Sequence, residues 1–352
     1  MRKIIYSTSL LIVLLGSIGL ASHVVATEAP YTNIVVFGDS LSDEGYQDSN
    51  PDKTKSPLFT SPTAFQDALA PNAGSGHTWA YYLARLMNIT PPTPNNLNPL
   101  IVSGYVSGTL RGTDYAAGGA LVTGDGIGTD KYAPPSVTQQ IEAYDLATQG
   151  NISPNNLYMV WGGANDFLKF FNNPSNFPVT QAQLDALADN AAANLFDSLA
   201  PLKPADPTHT IAVFTMPNLG LLPLDGVLEE KQPGINVLLQ QASAEFNDRL
   251  TSLIKSRYPN VKIVDIGSIM NTVIDNHEHT YTFGSQSYTL LNTVAPACKL
   301  ADLAHGQTAF NCIPPDMQFG AKTSQFMFED LAHPTDITHQ ILAQYIYQEL
   351  NK

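Results

Sequence analysis

Short, unbroken apolar runs recur along the sequence, and each is typical of a parallel strand that is buried on both faces. They occupy residues 33–37, 157–161, 210–214 and 261–266. Apolar residues recur at helical spacing over residues 79–87, 181–199, 236–256 and 336–350. Another helix is expected to begin at Ser136, because Gln139 completes a capping box three positions later. Strands that alternate with helices predict an α/β fold with a mostly parallel central sheet.

Two stretches interrupt this alternation. Residues 46–76 are rich in Pro, Ser, Asp and Asn, and residues 277–325 contain Gly, Ser, Tyr and both cysteines without a clear period. Predicted elements lie on both sides of each stretch, so we interpret them as loop insertions or lids rather than linkers. The sequence therefore predicts a single domain over residues 27–352.

The first 26 residues have the organisation of a secretory signal peptide. Arg2 and Lys3 precede an apolar run from Leu10 to Leu20, and small or apolar residues lead to Ala26, after which we expect cleavage. A membrane anchor is the alternative, but the apolar run is short for a bilayer span. We therefore expect a protein that is secreted or periplasmic.

The composition excludes some classes of protein. The 352 residues are 43% apolar, which is ample material for a core and excludes a disordered chain. The formal net charge is −14, so no basic surface is expected that could neutralise a phosphate backbone. We do not expect a nucleic-acid partner.

The two cysteines, Cys298 and Cys312, have thirteen residues between them. In an exported protein the simplest expectation is a disulfide that joins them. A catalytic thiol is the alternative, but it would need a histidine or a basic neighbour to form a thiolate, and nothing local indicates one.

Ser40 follows the first predicted strand within Gly38-Asp39-Ser40-Leu41-Ser42-Asp43. Because ligands of parallel α/β sheets bind at the carboxyl ends of strands, we expect this serine at such an edge. Gly38 permits a tight turn, and a helix beginning near Ser40 would direct its N–H groups towards a developing anion. An ordinary helix cap explains the same residues, so this motif alone does not establish a nucleophile.

A serine nucleophile needs a base, and the base needs a group that orients it. Among eight histidines, His333 stands directly before the final predicted helix, and Asp330 precedes it by three residues. This spacing lets the carboxylate bind one ring nitrogen while the other faces Ser40. Considered alone, His333 is more simply explained as a loop histidine.

A tetrahedral intermediate also needs hydrogen-bond donors for its oxyanion. The segment from Asp114 to Ala120 offers an unobstructed backbone N–H at Gly118, and the segment after the second predicted strand offers the side-chain amide of Asn165. A glycine turn and a helix cap are the structural alternatives for these two residues.

Taken together and in this order, the motifs resemble those of the GDSL lipases and esterases, the SGNH hydrolases. The matching blocks are residues 38–43, 114–120, 163–166, 216–220 and 330–335. The resemblance extends over residues 33–350. Tyr46 and Glu329 depart from it, because many relatives have Asn and Trp at these two positions.

The resemblance implies a role for each candidate residue. Ser40 would be the nucleophile and, through its N–H, one oxyanion donor, while Gly118 and Asn165 would be the other donors. Asp330 and His333 would complete the triad. The family fold is a flavodoxin-like three-layer α/β/α sandwich, and the family chemistry implies no cofactor.

Within this family, the chain is most similar to secreted bacterial lysophospholipases A and glycerophospholipid:cholesterol acyltransferases. That similarity implies a lipid ester substrate, transient contact with a membrane surface, and a sterol as a second acyl acceptor. Some of these relatives carry a disulfide loop near the catalytic aspartate that is cut for activation. We therefore expect an activating protease to act on residues 299–311.

Other functions stay open at this point. A carbohydrate acetyl esterase of the same superfamily is the nearest alternative, and a secreted binding module with a decayed site belongs to a different class. We do not expect an autotransporter passenger, because no pattern of alternating strands follows residue 350. His277 and His279 could bind a metal, but a third ligand at motif spacing is not evident, so no metal is expected.

Overall fold

The computed structural model describes residues 31–45, 77–95, 112–127, 133–299, 318 and 322–352. The predicted signal peptide, the insertion at residues 46–76, and Cys312 therefore lie outside the described residues.

The centre of the fold is a parallel sheet of four strands in the order β1-β2-β3-β4. The strands are β1 (Asn33–Gly38), β2 (Asn156–Trp161), β3 (Thr210–Phe214) and β4 (Lys262–Val264). All four runs predicted as strands are confirmed. The fourth strand is shorter than its apolar run, because Asp265 caps a helix that begins at Ile266.

A further segment lies along the free edge of β1. The N–H of Val36 donates to the carbonyl of Thr113 at 2.9 Å, and the N–H of Tyr115 donates back to Val36 at 2.8 Å. The N–H of Ala117 then donates to the carbonyl of Gly38 at 3.0 Å. This pairing places the residues after Ala117 beside the end of β1.

Eight α-helices are described in this part of the chain. They are α1 (Trp79–Leu86), α2 (Val137–Thr148), α3 (Ala164–Phe171), α4 (Gln181–Ser198), α5 (Leu224–Lys231), α6 (Ile235–Arg257), α7 (Ile266–Asp275) and α8 (Asp336–Leu350). The five predicted helices are confirmed, and so is the capping box of Ser136 and Gln139. Helices α3, α5 and α7, which are eight to ten residues long, were not predicted.

The interiors of β1, β2 and β3 are almost completely buried, which indicates that helices cover both faces of the sheet. One group of helices contains α4 and α6, which pack on each other, and another contains α1 and α8. On β3, the ring of Phe214 contacts both Trp79 of α1, with centroids 4.8 Å apart, and Trp161 of β2, at 5.5 Å. This arrangement is the α/β/α sandwich that the resemblance implied.

Part of the region expected as an irregular insertion contains regular structure. Strands β5 (Thr280–Phe283) and β6 (Gln286–Thr289) form an antiparallel hairpin, and β7 (Asn292–Pro296) pairs in parallel with β8 (Phe326–Phe328). Strands β5 and β6 are short and rich in Thr, Ser and Gln, which hides them from a search for apolar runs. None of the described helices has both the length and the apolar character needed to cross a membrane.

Candidate active site

Ser40 is held in place by the tight end of β1. The buried side chain of Gln140 binds both backbone groups of Gly38, accepting from its N–H at 2.8 Å and donating to its carbonyl at 2.8 Å. A Cβ atom on Gly38 would lie only 2.6 Å from the carbonyl oxygen of Trp161, so no side chain fits there. Ser40 thus follows a strand end that is fixed from two sides.

The expectation that a helix begins near Ser40 is wrong. The described residues form a turn instead, in which the N–H of Ser42 donates to the carbonyl of Asp39 at 3.0 Å. The side chain of Asp39 accepts the N–H of Leu41 at 3.0 Å, which is the local bonding that lets aspartate compete with a helix. The N–H of Ser40 itself has no protein partner in the described part of the chain.

Ser40, His333 and Asp330 are joined in series by hydrogen bonds. The Oγ of Ser40 lies 2.8 Å from Nε2 of His333, and Nδ1 of His333 lies 2.7 Å from Oδ2 of Asp330. Ser40 is 8% exposed and Asp330 is 3% exposed, while His333 between them is partly buried. A hydroxyl, an imidazole and a carboxylate in this order form the arrangement that activates serine nucleophiles.

The loop between β8 and α8 carries both partners of Ser40. The Oδ1 of Asp330 accepts the N–H groups of Ala332 and His333, each at 2.8 Å. The N–H of Glu329 donates to the carbonyl of His333 at 2.8 Å, which closes the same loop. These bonds fix the carboxylate and the imidazole relative to each other before any ligand binds.

Asp330 and His333 each shift the pKa of the other. Burial acts to raise the pKa of Asp330, but the charge and ring hydrogen bond of His333 and the two backbone donors outweigh it, so the pKa is lowered. Burial acts to lower the pKa of His333, but the charge and hydrogen bond of Asp330, with a smaller contribution from Asp39, raise it. Asp330 therefore stays ionised, and the imidazolium form of His333 is stabilised.

The structure contradicts the expectation that Gly118 offers a free N–H. That N–H donates to Oδ2 of Asp43 at 2.8 Å, and Asp43 is buried. The neighbouring Gly119 has no protein partner for its N–H among the described residues, and both glycines line the same cavity as Ser40. The donor that this segment offers is therefore one residue further along the chain than expected.

Asn165 lies at the start of α3, where it is buried and lines the same cavity. Its Nδ2 donates to the carbonyl of Ala120 at 3.0 Å. A primary amide has two N–H donors, so this bond orients the side chain and leaves the second donor available. The turn at Gly118 and Gly119 and the amide of Asn165 are thus fixed next to each other.

The cavity at Ser40 has a volume of about 330 Å³. Beyond the polar groups at Ser40, its lining is mostly aliphatic, with contributions from Leu41, Ile127, Leu168, Leu219, Leu222, Leu224, Met270 and Leu331. Four of these are leucines from α3, from the 3₁₀ turn after β3 and from the start of α5. Sequence analysis missed this lining, because α3, α5 and α7 were not predicted. Such a surface suits an apolar ligand group.

Two further expectations have different outcomes. Cys298 is fully buried after β7, but Cys312 lies outside the described residues, so their pairing stays a prediction. His277 and His279 lie in the turn between α7 and β5, and no group of three potential metal ligands occurs among the residues that the structure describes.

Comparison with solved structures finds matches that cover most of this chain at low sequence identity and with low TM-scores. The carbohydrate acetylesterase Est24 from Sinorhizobium meliloti matches 91% of this chain and 98% of its own, with 14% identity and a TM-score of 0.39. A phospholipase A1 from Streptomyces albidoflavus matches 92% of this chain and 100% of its own, with 12% identity and a TM-score of 0.36.

Among curated proteins, the chain is similar to Esterase EstA from Pseudomonas aeruginosa, with 28% identity over 96% of this chain and 49% of the esterase. It is also similar to Lipase 1 from Photorhabdus luminescens, with 24% identity over 96% of this chain and 53% of the lipase. The chain spans about half the length of these relatives. The sequence profile of the GDSL-like lipase/acylhydrolase family matches residues 34–346, nearly all of the chain. The chain therefore belongs to the GDSL-like lipase/acylhydrolase family.

Proposed function

We propose that the protein is a serine hydrolase that cleaves carboxylic esters through an acyl-enzyme. The observation that carries this proposal is the series of hydrogen bonds from Ser40 through His333 to Asp330 at the wall of a cavity. Family membership supports the same reaction class. A binding module that had lost catalysis would not need these three side chains to be hydrogen-bonded in series.

In the proposed reaction, the Oγ of Ser40 attacks the ester carbonyl while Nε2 of His333 takes its proton. The negative charge of Asp330 stabilises the imidazolium that forms. The tetrahedral intermediate then expels the alcohol, which receives the proton from His333. Water attacks the acyl-enzyme in a second cycle of the same proton transfers and releases the acid.

The oxyanion of the tetrahedral intermediate needs donors that are in place beforehand. We assign this role to the N–H of Ser40, the N–H of Gly119 and the second N–H of the Asn165 amide. Each lines the cavity and has a donor without a protein partner among the described residues. This assignment replaces Gly118 with its neighbour.

The aliphatic lining of the cavity supports a lipid ester as the substrate. Burying each methylene of an acyl chain stabilises a complex by roughly 0.8 kcal/mol, so leucine-rich walls favour longer chains over acetate. We propose lysophospholipase or phospholipase A activity at a membrane surface. Transfer of the acyl group to a sterol such as cholesterol follows if the acyl-enzyme excludes water and admits an alcohol.

Export and activation are also part of the proposal. The sequence of residues 1–26 supports export through a signal peptide, and the spacing of Cys298 and Cys312 supports a disulfide loop. Residues 300–311 lie outside the described residues, but the N–H of Cys298, where this loop would begin, donates to the carbonyl of Glu329 at 2.9 Å, next to Asp330. We propose that a protease activates the enzyme by cutting within residues 299–311. Limited proteolysis there should raise turnover, and unchanged turnover would exclude activation by cutting.

Replacing Ser40 tests the reaction class. Ser40→Ala should lower kcat for p-nitrophenyl butyrate by roughly 10⁶-fold, as expected for loss of a nucleophile. Ser42→Ala is the matched control, because its hydroxyl lies in the same turn but accepts from Nε1 of Trp79 at 3.2 Å. Hydrolysis that survives in Ser40→Ala would exclude this nucleophile, and a wild-type protein that hydrolyses no ester would favour the binding module.

A second assay tests the substrate. The wild-type protein is incubated with lysophosphatidylcholine, with and without cholesterol, and the acyl products are identified. Release of free fatty acid would support lysophospholipase activity. Formation of a cholesteryl ester would support acyltransferase activity as well. Activity on acetyl esters alone would favour the carbohydrate acetyl esterase instead.

A further inference from the structure

Asp43 is a buried carboxylate next to Ser40 that the proposed reaction does not use. It is 1% exposed and stands three residues after Ser40. Its Oδ1 accepts the N–H of Gly45 at 2.8 Å, and its Oδ2 accepts the N–H of Gly118, also at 2.8 Å. The side chain therefore connects the segment that carries Ser40 with a segment 75 residues away.

Gly118 and Gly119 occupy the middle of a β-turn. The N–H of Ala120 donates to the carbonyl of Ala117 at 3.0 Å, which closes the turn. Gly119 is its third residue and has a φ of +85°, the conformation for which a type II turn requires glycine. The N–H of that third residue has no partner within such a turn, so it is free to bind a ligand.

Several bonds restrict the orientation of this turn. The N–H of Ala117 donates to Gly38, and the carbonyl of Gly119 accepts the N–H of Ile127 at 2.8 Å. Between these two bonds along the chain, the carboxylate of Asp43 accepts the N–H of Gly118, which is the second residue of the turn. Asp43 therefore restrains the turn at Gly118, one residue before the N–H of Gly119.

Asp114 is a second buried carboxyl beside this turn. Burial, followed by the negative charge of Asp43, raises the pKa of Asp114 well above its ordinary range. Asp114 accepts the N–H groups of Ala116 and Glu44, so it fixes the same segment before the turn.

We infer that Asp43 is a positioning residue for the oxyanion hole: by binding the N–H of Gly118, it orients the turn so that the N–H of Gly119 points to the developing oxyanion. This inference rests on the proposed ester hydrolysis and adds a residue to it. Asp43 does not touch the substrate or exchange a proton. Its effect is confined to the state in which negative charge develops on the carbonyl oxygen.

The test compares Asp43→Ala and Asp43→Asn with p-nitrophenyl butyrate as the substrate. Loss of one oriented donor lowers kcat by about 10²-fold, so we expect this loss for Asp43→Ala with KM within about twofold of wild type. Asp43→Asn keeps one acceptor oxygen, so its kcat should fall by only about 10-fold. The inhibition constant of a butyl trifluoromethyl ketone, which forms an oxyanion on the serine, should rise by the same factor as kcat/KM falls.

Glu44→Gln is the matched control. Glu44 is a neighbouring buried carboxyl, but it binds His77 and Thr78 rather than the turn. We expect it to leave kcat and the inhibition constant of the ketone within about threefold of wild type, which is the range of ordinary context effects away from the reacting atoms.

Two outcomes would overturn the inference. One is an Asp43→Asn protein with wild-type kcat, and the other is a loss of kcat without weaker binding of the ketone. If Asp43→Ala does not fold, Asp43→Asn decides alone. Failure of the proposed function has a different signature, because the wild-type protein would then hydrolyse no ester, or Ser40→Ala would retain hydrolysis, whatever the Asp43 variants show.

Discussion

His333 and Asp330 are bound to each other twice within one loop. The ring Nδ1 of His333 lies 2.7 Å from Oδ2 of Asp330, and the backbone N–H of the same histidine donates to Oδ1 at 2.8 Å. The carboxylate therefore orients the ring while the backbone of the histidine orients the carboxylate. Such a pair keeps its geometry without help from a substrate.

Asp330→Asn should lower kcat by about 10⁴-fold. The asparagine keeps an oxygen for the backbone N–H groups, but its amide presents a donor to Nδ1 of His333 and favours the wrong tautomer. The measurement is kcat with p-nitrophenyl butyrate. Asp336→Asn is the control, since that carboxyl accepts the N–H of His77 at 3.1 Å and does not contact His333. Equal losses in the two variants would contradict the assigned role of Asp330.

The pH dependence of kcat/KM should reflect the raised pKa of His333. Only the neutral imidazole can accept the proton of Ser40, so activity falls as the pH drops through this pKa. Since the charges of Asp330 and Asp39 outweigh burial and raise it, the acidic limb should lie above the ordinary histidine value of about 6.5.

Asp39→Asn provides an independent check of this assignment. Burial raises the pKa of Asp39 to about 6, so its carboxylate forms over the same pH range and favours the imidazolium. Removing that charge should move the acidic limb to lower pH while kcat on the plateau changes little. An unchanged limb in Asp39→Asn, or a wild-type limb below the ordinary value, would show that His333 does not control the profile.

Glu329 should make the protein less stable as the pH rises. It is 1% exposed, its Oε1 has no hydrogen-bond partner among the described residues, and burial, with the charges of Asp330 and Asp336, raises its pKa to about 8. Between its ordinary pKa of 4.5 and about 8, the folded protein holds a proton that the unfolded chain has released. The free energy of unfolding therefore falls across this window.

Glu329→Gln removes this titration and keeps the shape of the side chain. Urea unfolding of both proteins at pH 4.5, 7 and 9 measures the difference. The variant should match the wild type at pH 4.5 and be more stable by about 2–4 kcal/mol at pH 9. A stability difference that does not change with pH would mean that folding does not raise the pKa of Glu329.

Much of the fold could be predicted because its strands are buried on both faces. A run such as residues 157–161 has no polar position that could be solvent-exposed, and it is β2. Every position in the hairpin of β5 and β6 is exposed or half-buried, and its Thr, Ser and Gln residues give no apolar run. Its pairing is set by contacts between strands, which local sequence does not show.

The candidate site shows the same limit at the level of single atoms. The segments that carry Ser40, Gly118, Asn165 and His333 could be identified in the sequence, and the structure brings them to one cavity. The choice between Gly118 and Gly119 could not be made, because it depends on which N–H the distant Asp43 occupies. Two adjacent glycines look alike until their long-range partners are known.

The cavity lining should set the acyl-chain preference. Leu168 of α3 belongs to the aliphatic lining of the cavity and lies one helical turn after Asn165. Leu168→Trp would fill part of the roughly 330 Å³ and shorten the space for a chain. Each methylene that loses its contact costs about 0.8 kcal/mol, or roughly fourfold in kcat/KM. Loss of two methylenes should therefore lower the octanoate-to-acetate ratio of kcat/KM by about 10-fold or more.

A series of p-nitrophenyl esters from acetate to dodecanoate measures this ratio. Leu146→Trp on α2 is the matched control, because Leu146 is 61% exposed and does not line the cavity. Leu168→Ala should shift the optimum towards longer chains, since it enlarges the same space. If Leu168→Trp and Leu146→Trp have the same profile as the wild type, the acyl chain does not occupy this part of the cavity, and the alcohol part of the ester becomes its occupant.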